Sequence, residues 1–286
     1  MKSYLYLTVC VVSVFAETGA YAAAAPAPDY PWLKDNKTIN ATVRDVHVNG
    51  MPAVGSHVAE LEKSLAGAKR AMEIAAAGDA KTVIVLVPDP GDQAPDEVKK
   101  SAAAAKKRLI VEPNPYLEIA FFLASYYDLN NKPADALRVI DLALALPGSE
   151  TNPHRFDLLS KRGAELGNLK RWPEALAAYD EALKNKDAAV SVRAYMERGR
   201  GMALYELGRK SEAKDAYLEA LKLVANDPQA KKDLEYIEQN QDRGEKLPPS
   251  VNAFQVPNDA TPEDSKPSDT KPADGKPADQ SSPPKP

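Results

Sequence analysis

Two aspartates that follow the most apolar short run of the chain are the first residues that could do chemistry. The run Thr82–Val87 predicts a buried β-strand, and Asp89 and Asp92 follow it beside Pro and Gly residues. Carboxylates at the end of a strand could bind a metal ion or act as a catalytic pair. Aspartate beside Pro and Gly is far more often a turn residue. We therefore expect a turn here rather than a catalytic or metal site.

The histidines and the single cysteine give no stronger indication of a reactive site. His47, His57 and His154 are scattered, and the pattern places none of them on a shared helix with a His or carboxylate three or four residues further on. Cys10 lies in the N-terminal apolar stretch. The sequence contains no phosphate-binding loop, nucleophile elbow or dinucleotide fingerprint. We therefore expect no enzyme activity, no metal and no cofactor.

An internal repeat dominates the middle of the chain. Ala136, Ala175 and Ala213 open similar segments, with spacings of 39 and 38 residues. Each alanine is followed four residues on by a bulky residue and three later by another alanine: Ile140 and Ala143, Tyr179 and Ala182, Tyr217 and Ala220. This spacing puts all three on one helical face, where small residues let a neighbouring helix approach and the bulky residue fills the gap. Helix pairs of this kind bury their faces by stacking, so the pattern predicts a mainly α-helical array.

These units resemble the tetratricopeptide repeat (TPR), a helix-turn-helix unit of about 34 residues. In units that start at Leu117, Phe156 and Ala194, the family's small and apolar positions are matched by Leu123, Ala124, Tyr127, Ala136, Ile140 and Ala143; by Leu159, Gly163, Leu166, Ala175, Tyr179 and Ala182; and by Gly201, Leu204, Ala213, Tyr217 and Ala220. Departures from the family pattern include Arg162 and Arg200 at its seventh position. The resemblance implies a solenoid of about three repeats that binds other proteins.

The turn residues favour this resemblance over the alternative, an unrelated bundle of alanine-rich helices. Gly or Asn residues fall where the family has its turns, at Asn130–Asn131, Gly167–Asn168 and Gly208. After the third unit, residues 228–240 predict one more helix, which would cover the apolar face of the terminal repeat. We therefore expect residues 113–244 to form the repeat array with a C-terminal capping helix.

The resemblance also implies a concave groove lined by the first helix of each unit. Its groove positions correspond here to Glu118, Phe121, Ser125, Asp128, Leu129, Asp157, Asn168, Tyr195, Arg198, Met202, Tyr205 and Glu206, among others. Tyr195, Met202 and Tyr205 share one helix face with Arg198, so we expect an exposed aromatic stripe that anchors a partner. Too few Lys, Arg and Asn stand at these positions for the family's carboxylate clamp. An apolar peptide or helix of another protein is the partner that we expect.

Residues 23–112 form a separate N-terminal region in this interpretation, either mixed α/β or helical. Residues 25–37 are expected to be an extended linker, and the loose alternation over residues 41–48 suggests a strand. The run Thr82–Val87 is the best strand of the chain and needs a partner strand for its backbone groups, so a strand-helix-strand unit is one possibility.

Two helices are predicted in the same region. The first spans Val58–Ala77, with Ser56 as its N-cap and Gly78 as its C-terminal stop. The second, from about Pro95 to Ile110, would lead into the repeats and cap the first of them.

The two ends of the chain predict an exported protein with a disordered tail. Residues 1–22 have a charged start, an apolar stretch and a small-x-small cleavage site, typical of a secretory signal. A membrane anchor is the alternative, although the stretch is short for one. Residues 245–286 are rich in Pro, Lys and Asp, with eight Pro in the last thirty residues, and are expected to be disordered. We expect the mature protein in the bacterial periplasm, without a membrane anchor.

Charge and composition leave three functional hypotheses. The chain has 37 Lys and Arg against 41 Asp and Glu, without the concentrated basic patch that nucleic-acid binding requires. The first hypothesis is a non-enzymatic exported TPR adaptor that mediates protein–protein interaction in the cell envelope. The alternatives are an accessory subunit or enzyme with its chemistry in residues 25–112, and a structural envelope protein tethered through its tail.

Overall fold

A computed structural model describes residues 30–239 of the chain, so the predicted signal (residues 1–22) and the predicted tail (residues 245–286) lie outside the described residues. Within this range the protein is mainly α-helical, as predicted. Its helices are α1 (Pro31–Asn49), α2 (Val58–Ala77), α3 (Asp96–Ala104), α4 (Tyr116–Leu129), α5 (Pro133–Leu144), α6 (Arg155–Asn168), α7 (Trp172–Ala182), α8 (Val190–Glu206), α9 (Lys210–Leu223) and α10 (Pro228–Gln239). Two strands, β1 (Thr82–Val87) and β2 (Arg108–Pro113), complete the elements that position the site.

The N-terminal segment is a long helix, which corrects two predictions. Residues 31–49 form α1, so the linker predicted over residues 25–37 is wrong from residue 31 onward, and the strand predicted over residues 41–48 is wrong throughout. Pro31 suits the first helical turn, and Gly50 ends the helix with a φ of 77°. The buried face consists of Trp32, Asp35, Ile39 and Thr42, a spacing of three and four residues. Packing of this face outweighs the strand preference of the nearby valines.

Helix α2 has the bounds predicted from the sequence, and Gly78 ends it with a φ of 55°. The predicted N-cap is wrong, because Ser56 belongs to a short 3-10 segment before the helix. The Ser56 hydroxyl donates instead to the carbonyl of Ala53, at 2.8 Å. Local hydrogen bonding by serine competes with capping in this way.

A strand-helix-strand unit follows α2. Strand β1 pairs in parallel with β2, Thr82 opposite Arg108, and α3 forms the crossover between them. The helix predicted from Pro95 to Ile110 therefore stops at Ala104, and its last residues belong to β2. Backbone pairing explains the difference, because the unpaired groups of a strand such as β1 are costly, and β2 satisfies them. The Arg108 amide, for example, donates to the Lys81 carbonyl at 2.7 Å.

Three helix pairs follow, α4 with α5, α6 with α7 and α8 with α9. Each second helix packs on the first helix of the next pair, and α10 packs on α9 in the same way. The first helices also contact one another, α4 with α6 and α6 with α8, whereas the second helices of neighbouring pairs contact one another less. The stack therefore curves toward α4, α6 and α8, and we call the side that these three helices form the inner face.

The packing of the pairs confirms the small–bulky–small pattern. The nine residues are all buried: Ala136, Ile140, Ala143, Ala175, Tyr179, Ala182, Ala213, Tyr217 and Ala220. The Tyr179 ring fills a slot between Gly163 and Gly199, and a Cβ added at Gly163 would lie 2.8 Å from it. Gly201 leaves the same space for the Tyr217 ring. Small residues thus set the distance between neighbouring helices.

The turns within the three pairs share one geometry. Asn131, Lys170 and Gly208 occupy equivalent positions with φ values of 54°, 59° and 77°. Each is followed by an amide that donates back to a carbonyl five residues earlier, the closure typical of helix C-termini. The predicted turns at Asn130–Asn131 and Gly208 are therefore correct. The turn predicted at Gly167–Asn168 is wrong, because these residues end α6 and Lys170 takes the left-handed conformation.

The N-terminal region and the first helix pair share one hydrophobic core. One cluster of buried residues runs from Trp32 through α2 and β1 to Ile140 and Leu158, and a second holds the later pairs and α10. Helix α2 packs on α4, whereas α3, which was expected to be the cap, mainly contacts β2. Glu62 of α2 accepts hydrogen bonds from Tyr127 at 2.7 Å and from Arg138 at 2.6 Å. Helix α2 is therefore the element that covers the first pair.

Candidate binding face

The inner face includes eight central residues that the resemblance implied, but only half of these eight are accessible. Asp128 and Asn168 are exposed, and Phe121 and Met202 are half-buried. Ser125, Tyr195, Arg198 and Tyr205 are buried, with between 4 and 8% of their surface exposed. Ser125 donates to the carbonyl of Phe121 at 2.7 Å within its own helix.

The prediction of an exposed aromatic stripe on α8 is wrong. Tyr205 packs edge-on against Tyr236 of α10, with 6.2 Å between ring centroids. Arg198 forms an ion pair with Asp227, just before α10, and its Nε lies 3.2 Å from the carboxylate. Helix α10 takes the place that the first helix of a further pair would have, so it covers the end of α8. The sequence pattern of α8 alone contains no information about this cover.

A polar cluster at the centre of the inner face joins three helices. Asp128 comes from α4, Lys161 and Glu165 from α6, and Tyr195 from α8. The Lys161 ammonium lies 4.9 Å from the centre of the Phe121 ring, a cation–π distance. Asn168 donates to Glu165 at 3.3 Å. Glu165 and Tyr195 are buried, Lys161 is half-buried and Asp128 is exposed, so the cluster extends from the interior to the surface of the inner face.

Burial changes the pKa values in this cluster. Glu165 is only 2% exposed, and burial, together with the negative charge of Asp128, raises its pKa to about 7. Burial lowers the pKa of Lys161, and the carboxylates of Asp128 and Glu165 oppose that change. Burial and then Asp128 also raise the pKa of the Tyr195 hydroxyl. The negative charge of Asp128 on α4 therefore changes the pKa values of groups on α6 and α8.

A second polar group lies at the rim of the inner face, where the loop after β1 meets the start of α6. His154 Nε2 lies 2.9 Å from Asp89 Oδ1, and its Nδ1 lies 3.8 Å from Asp157 Oδ2. Asp157 and Asp89 raise the pKa of His154 to about 9, against the effect of burial. The expectation that His154 has no carboxylate partner three residues on is therefore wrong.

The two aspartates after β1 do not form a paired site. Asp92 accepts a hydrogen bond from the Asp89 amide at 3.0 Å, which is the turn geometry that the sequence predicted. The Asp89 carboxylate contacts His154 instead. Among residues 30–239, no group of three or more His, Cys, Asp or Glu side chains is arranged to hold a metal ion.

Lys161 and Glu165 are the inner-face residues that the sequence analysis missed. The signal that could have identified them is a polar stripe on α6, formed by Asp157, Lys161, Glu165 and Asn168 at spacings of four, four and three residues. The family's groove positions include only the two ends of this stripe. The middle of the stripe lies outside those positions, and the spacing of Glu165 by itself does not distinguish it from an ordinary surface carboxylate.

Polar residues of the N-terminal region also meet, but they do so inside the core. Asp35 accepts hydrogen bonds from Ser64 at 2.6 Å and from Tyr116 at 2.9 Å, which joins α1, α2 and α4. Tyr116 is fully buried, and burial together with Asp35 raises the pKa of its hydroxyl. This cluster holds the N-terminal helices on the first pair.

Comparison with known proteins adds no further assignment. No family model matches the chain. A search of curated proteins finds no match either. None of the helices between residues 30 and 239 combines the length and the apolar character needed to cross a membrane.

Proposed function

We propose that this protein is a non-enzymatic TPR-type adaptor that binds a segment of another protein on its inner face. The observation that carries the proposal is the curved face of α4, α6 and α8, which presents a half-buried aromatic ring, a thioether and carboxylates around a partly buried polar cluster. Stacked helix pairs commonly use such an extended curved surface for binding. No nucleic acid and no cofactor has a part in this proposal.

Ion pairs between successive units support the TPR assignment, including its departures from the family pattern. Arg162 of α6 binds Asp141 of α5 at 2.7 Å, and Arg200 of α8 binds Asp180 of α7 at 2.6 Å. The two arginines are equivalent in their units, and so are the two aspartates. The arginines at the seventh position thus join one unit to the next. A repeat of this detail is difficult to explain in an unrelated helical bundle.

The proposed location is the bacterial periplasm, and it rests on the signal pattern of residues 1–22. The alternative of an enzyme or accessory subunit with its chemistry in residues 25–112 gains no support from the polar cluster found there. Asp35 and Ser64 are each 8% exposed and Tyr116 is fully buried, so a substrate has no access to them. The tethered structural protein differs from the adaptor mainly in the role of residues 245–286.

Site-specific photo-crosslinking tests the adaptor proposal. We would place a photoreactive amino acid at Leu129, which is 61% exposed at the end of α4, and a matched one at Leu218, which is 37% exposed on α9. The expected result is a discrete crosslinked protein from position 129, identified by mass spectrometry, and none from position 218. Equal labelling from both positions, or none from position 129, would contradict the inner face as the binding surface.

A further inference from the structure

Negative charge is concentrated on the accessible part of the inner face. Four carboxylates stand at the groove positions of α4, α6 and α8: Asp128 and Asp157 are exposed, and Glu118 and Glu206 are half-buried. The basic residue at these positions, Arg198, is 4% exposed and paired with Asp227. Lys161 is half-buried, and its positive charge interacts with Asp128 first and with Glu165 second. The face is therefore acidic, although the whole chain has a net charge of only -4.

Asp128 is the carboxylate best placed to meet a ligand. Its side chain makes no hydrogen bond or ion pair with another residue between positions 30 and 239. The same helix also carries the half-buried Phe121, two turns earlier, and the exposed Leu129, the next residue. Lys161 shows that a cation is stabilised at this position. Its ammonium lies over the Phe121 ring, and the negative charge of Asp128 favours its charged form.

The desolvation of these carboxylates decides which partner fits. Asp157 already has His154 as a partner, whereas a neutral or acidic segment on this face would take Asp128 out of water without forming an ion pair, which is costly. A cationic side chain would pair with Asp128, and opposite charge would also accelerate association. The exposed side chain of Leu129 offers an apolar contact beside this charged position.

We propose that the inner face binds a basic polypeptide segment, with a Lys or Arg against Asp128 and an apolar side chain on Phe121 and Leu129. This inference rests on the proposed function and specifies the chemistry of its partner. This binding mode differs from the carboxylate clamp of the TPR family, which needs basic residues in the groove.

A peptide selection with the full mature chain tests this inference. The probe is a random peptide library displayed on phage, selected in parallel against the wild type, the Asp128→Lys variant and the Asp215→Lys variant. Asp215 is an exposed carboxylate on α9, away from the inner face, so the two variants change the net charge equally. Binding of the selected peptides is measured by fluorescence anisotropy and by crosslinking from position 129.

Lys and Arg should be enriched over Asp and Glu among the selected peptides that crosslink at position 129. We expect Asp128→Lys to weaken their binding by about tenfold or more, Asp215→Lys to leave it nearly unchanged, and added salt to weaken it. Binding should also release protons near neutral pH, because a bound cation lowers the pKa of Glu165. The other groups that face Glu165 are Asp128, Lys161, Asn168, Tyr179 and Tyr195.

The other outcomes separate this inference from the proposed function. If peptides crosslink at position 129 without Lys or Arg enrichment, or tolerate Asp128→Lys, the inner face binds peptides but the basic partner is wrong. If no peptide and no protein crosslinks there, the proposed function also fails. If position 129 of the free chain crosslinks to its own residues 245–286, with Lys266, Lys271 and Lys276 among them, the occupant is the tail, and an external basic partner is overturned.

Discussion

Tyr179 shows that the burial of a large side chain in this array depends on neighbouring residues that have no side chain. Its ring is 1% exposed and lies against Gly163 of the same helix pair and Gly199 of the next. Both glycines are in helix interiors, where they are unfavourable by roughly 0.5–1 kcal/mol relative to alanine. The two glycines leave space for the Tyr179 ring. As a result, α6, α7 and α8 pack closely around the ring and bury it.

Gly199→Ala should therefore lower the free energy of unfolding by about 1–3 kcal/mol, because the added methyl group overlaps the Tyr179 ring. The matched control is Gly67→Ala in α2, where an added methyl group meets no atom within 4 Å. That control should raise stability by roughly 0.5–1 kcal/mol, as expected for alanine in a helix. Urea denaturation of both variants measures the difference. A stabilised Gly199→Ala variant would show that the ring can move aside.

Glu165 lowers the stability of the folded chain above neutral pH. Its pKa in the folded protein is about 7, above the ordinary value of 4.5, so the protonated form is favoured by folding. The stability linked to this group is present at low pH and is lost as the pH rises from 4.5 through 7. A buried carboxylate kept at such a cost is more typical of a functional position than of a structural one.

Glu165→Gln should raise the free energy of unfolding by up to about 3 kcal/mol at alkaline pH and by much less below pH ~4.5, where Glu165 is protonated in both states. Thermal melts of the variant and the wild type across this pH range measure the effect. Asp215→Asn, at an exposed position on α9, is the control and should show no such pH dependence. Equal stability of the Gln variant and the wild type at alkaline pH would mean that Glu165 ionises in the folded protein as easily as in water.

The helix pairs depend on turns that have the same backbone geometry but different residues. Asn131, Lys170 and Gly208 all have positive φ, which is natural for glycine, tolerated by asparagine and unfavourable for lysine. The bonds that close each turn are preserved, with the Arg171 amide donating to the Leu166 carbonyl at 2.8 Å. The stacked helices thus impose the conformation on Lys170.

Lys170→Gly should stabilise the protein by about 1 kcal/mol, because glycine adopts this left-handed conformation without the steric cost that lysine bears. The expected change is a higher midpoint in urea with an unchanged slope. Lys184→Gly, at an exposed residue two positions after the end of α7, serves as a comparison and should give no such gain. A lower midpoint for Lys170→Gly would indicate that the lysine side chain makes contacts worth more than the backbone cost.

The whole array is closed at both ends by elements outside the three pairs. Helix α2 covers the first pair through Glu62, Tyr127 and Arg138. Helix α10 covers the last one and buries Ala230 and Ile237. A stack of helix pairs needs such covers, because its terminal units would otherwise expose apolar faces to water.

Truncation tests this arrangement. A chain that ends before Pro228 should lose about 3 kcal/mol or more of stability, or roughly 10 °C in Tm, because the core loses the cover of α10. The matched truncation that removes residues 250–286 should leave Tm nearly unchanged, since the composition of that segment cannot support a packed core. Calorimetry of both chains makes the comparison. Equal melting temperatures for the two truncated chains would show that α10 is dispensable.

The sequence by itself determined the features that are encoded locally. The three helix pairs, the buried Ala–bulky–Ala positions, α2 and β1 depend on residues a few positions apart, and all were predicted correctly. The parallel partner of β1 was not, since β2 has no periodicity of its own that separates it from the end of a helix. It forms because its backbone satisfies that of β1.

Only the tertiary structure decided which inner-face residues meet solvent. Tyr205 and Arg198 have the spacing of an exposed stripe, yet Tyr236 and Asp227 bury them from more than twenty residues further along the chain. Conversely, Glu165 has the spacing of an ordinary surface carboxylate and is buried beside Asp128. Periodicity identifies the face of a helix on which a residue lies, whereas burial depends on what packs over that face. In this protein the residues that pack over the inner face come from segments distant in the sequence, so the local pattern of one helix cannot predict its burial.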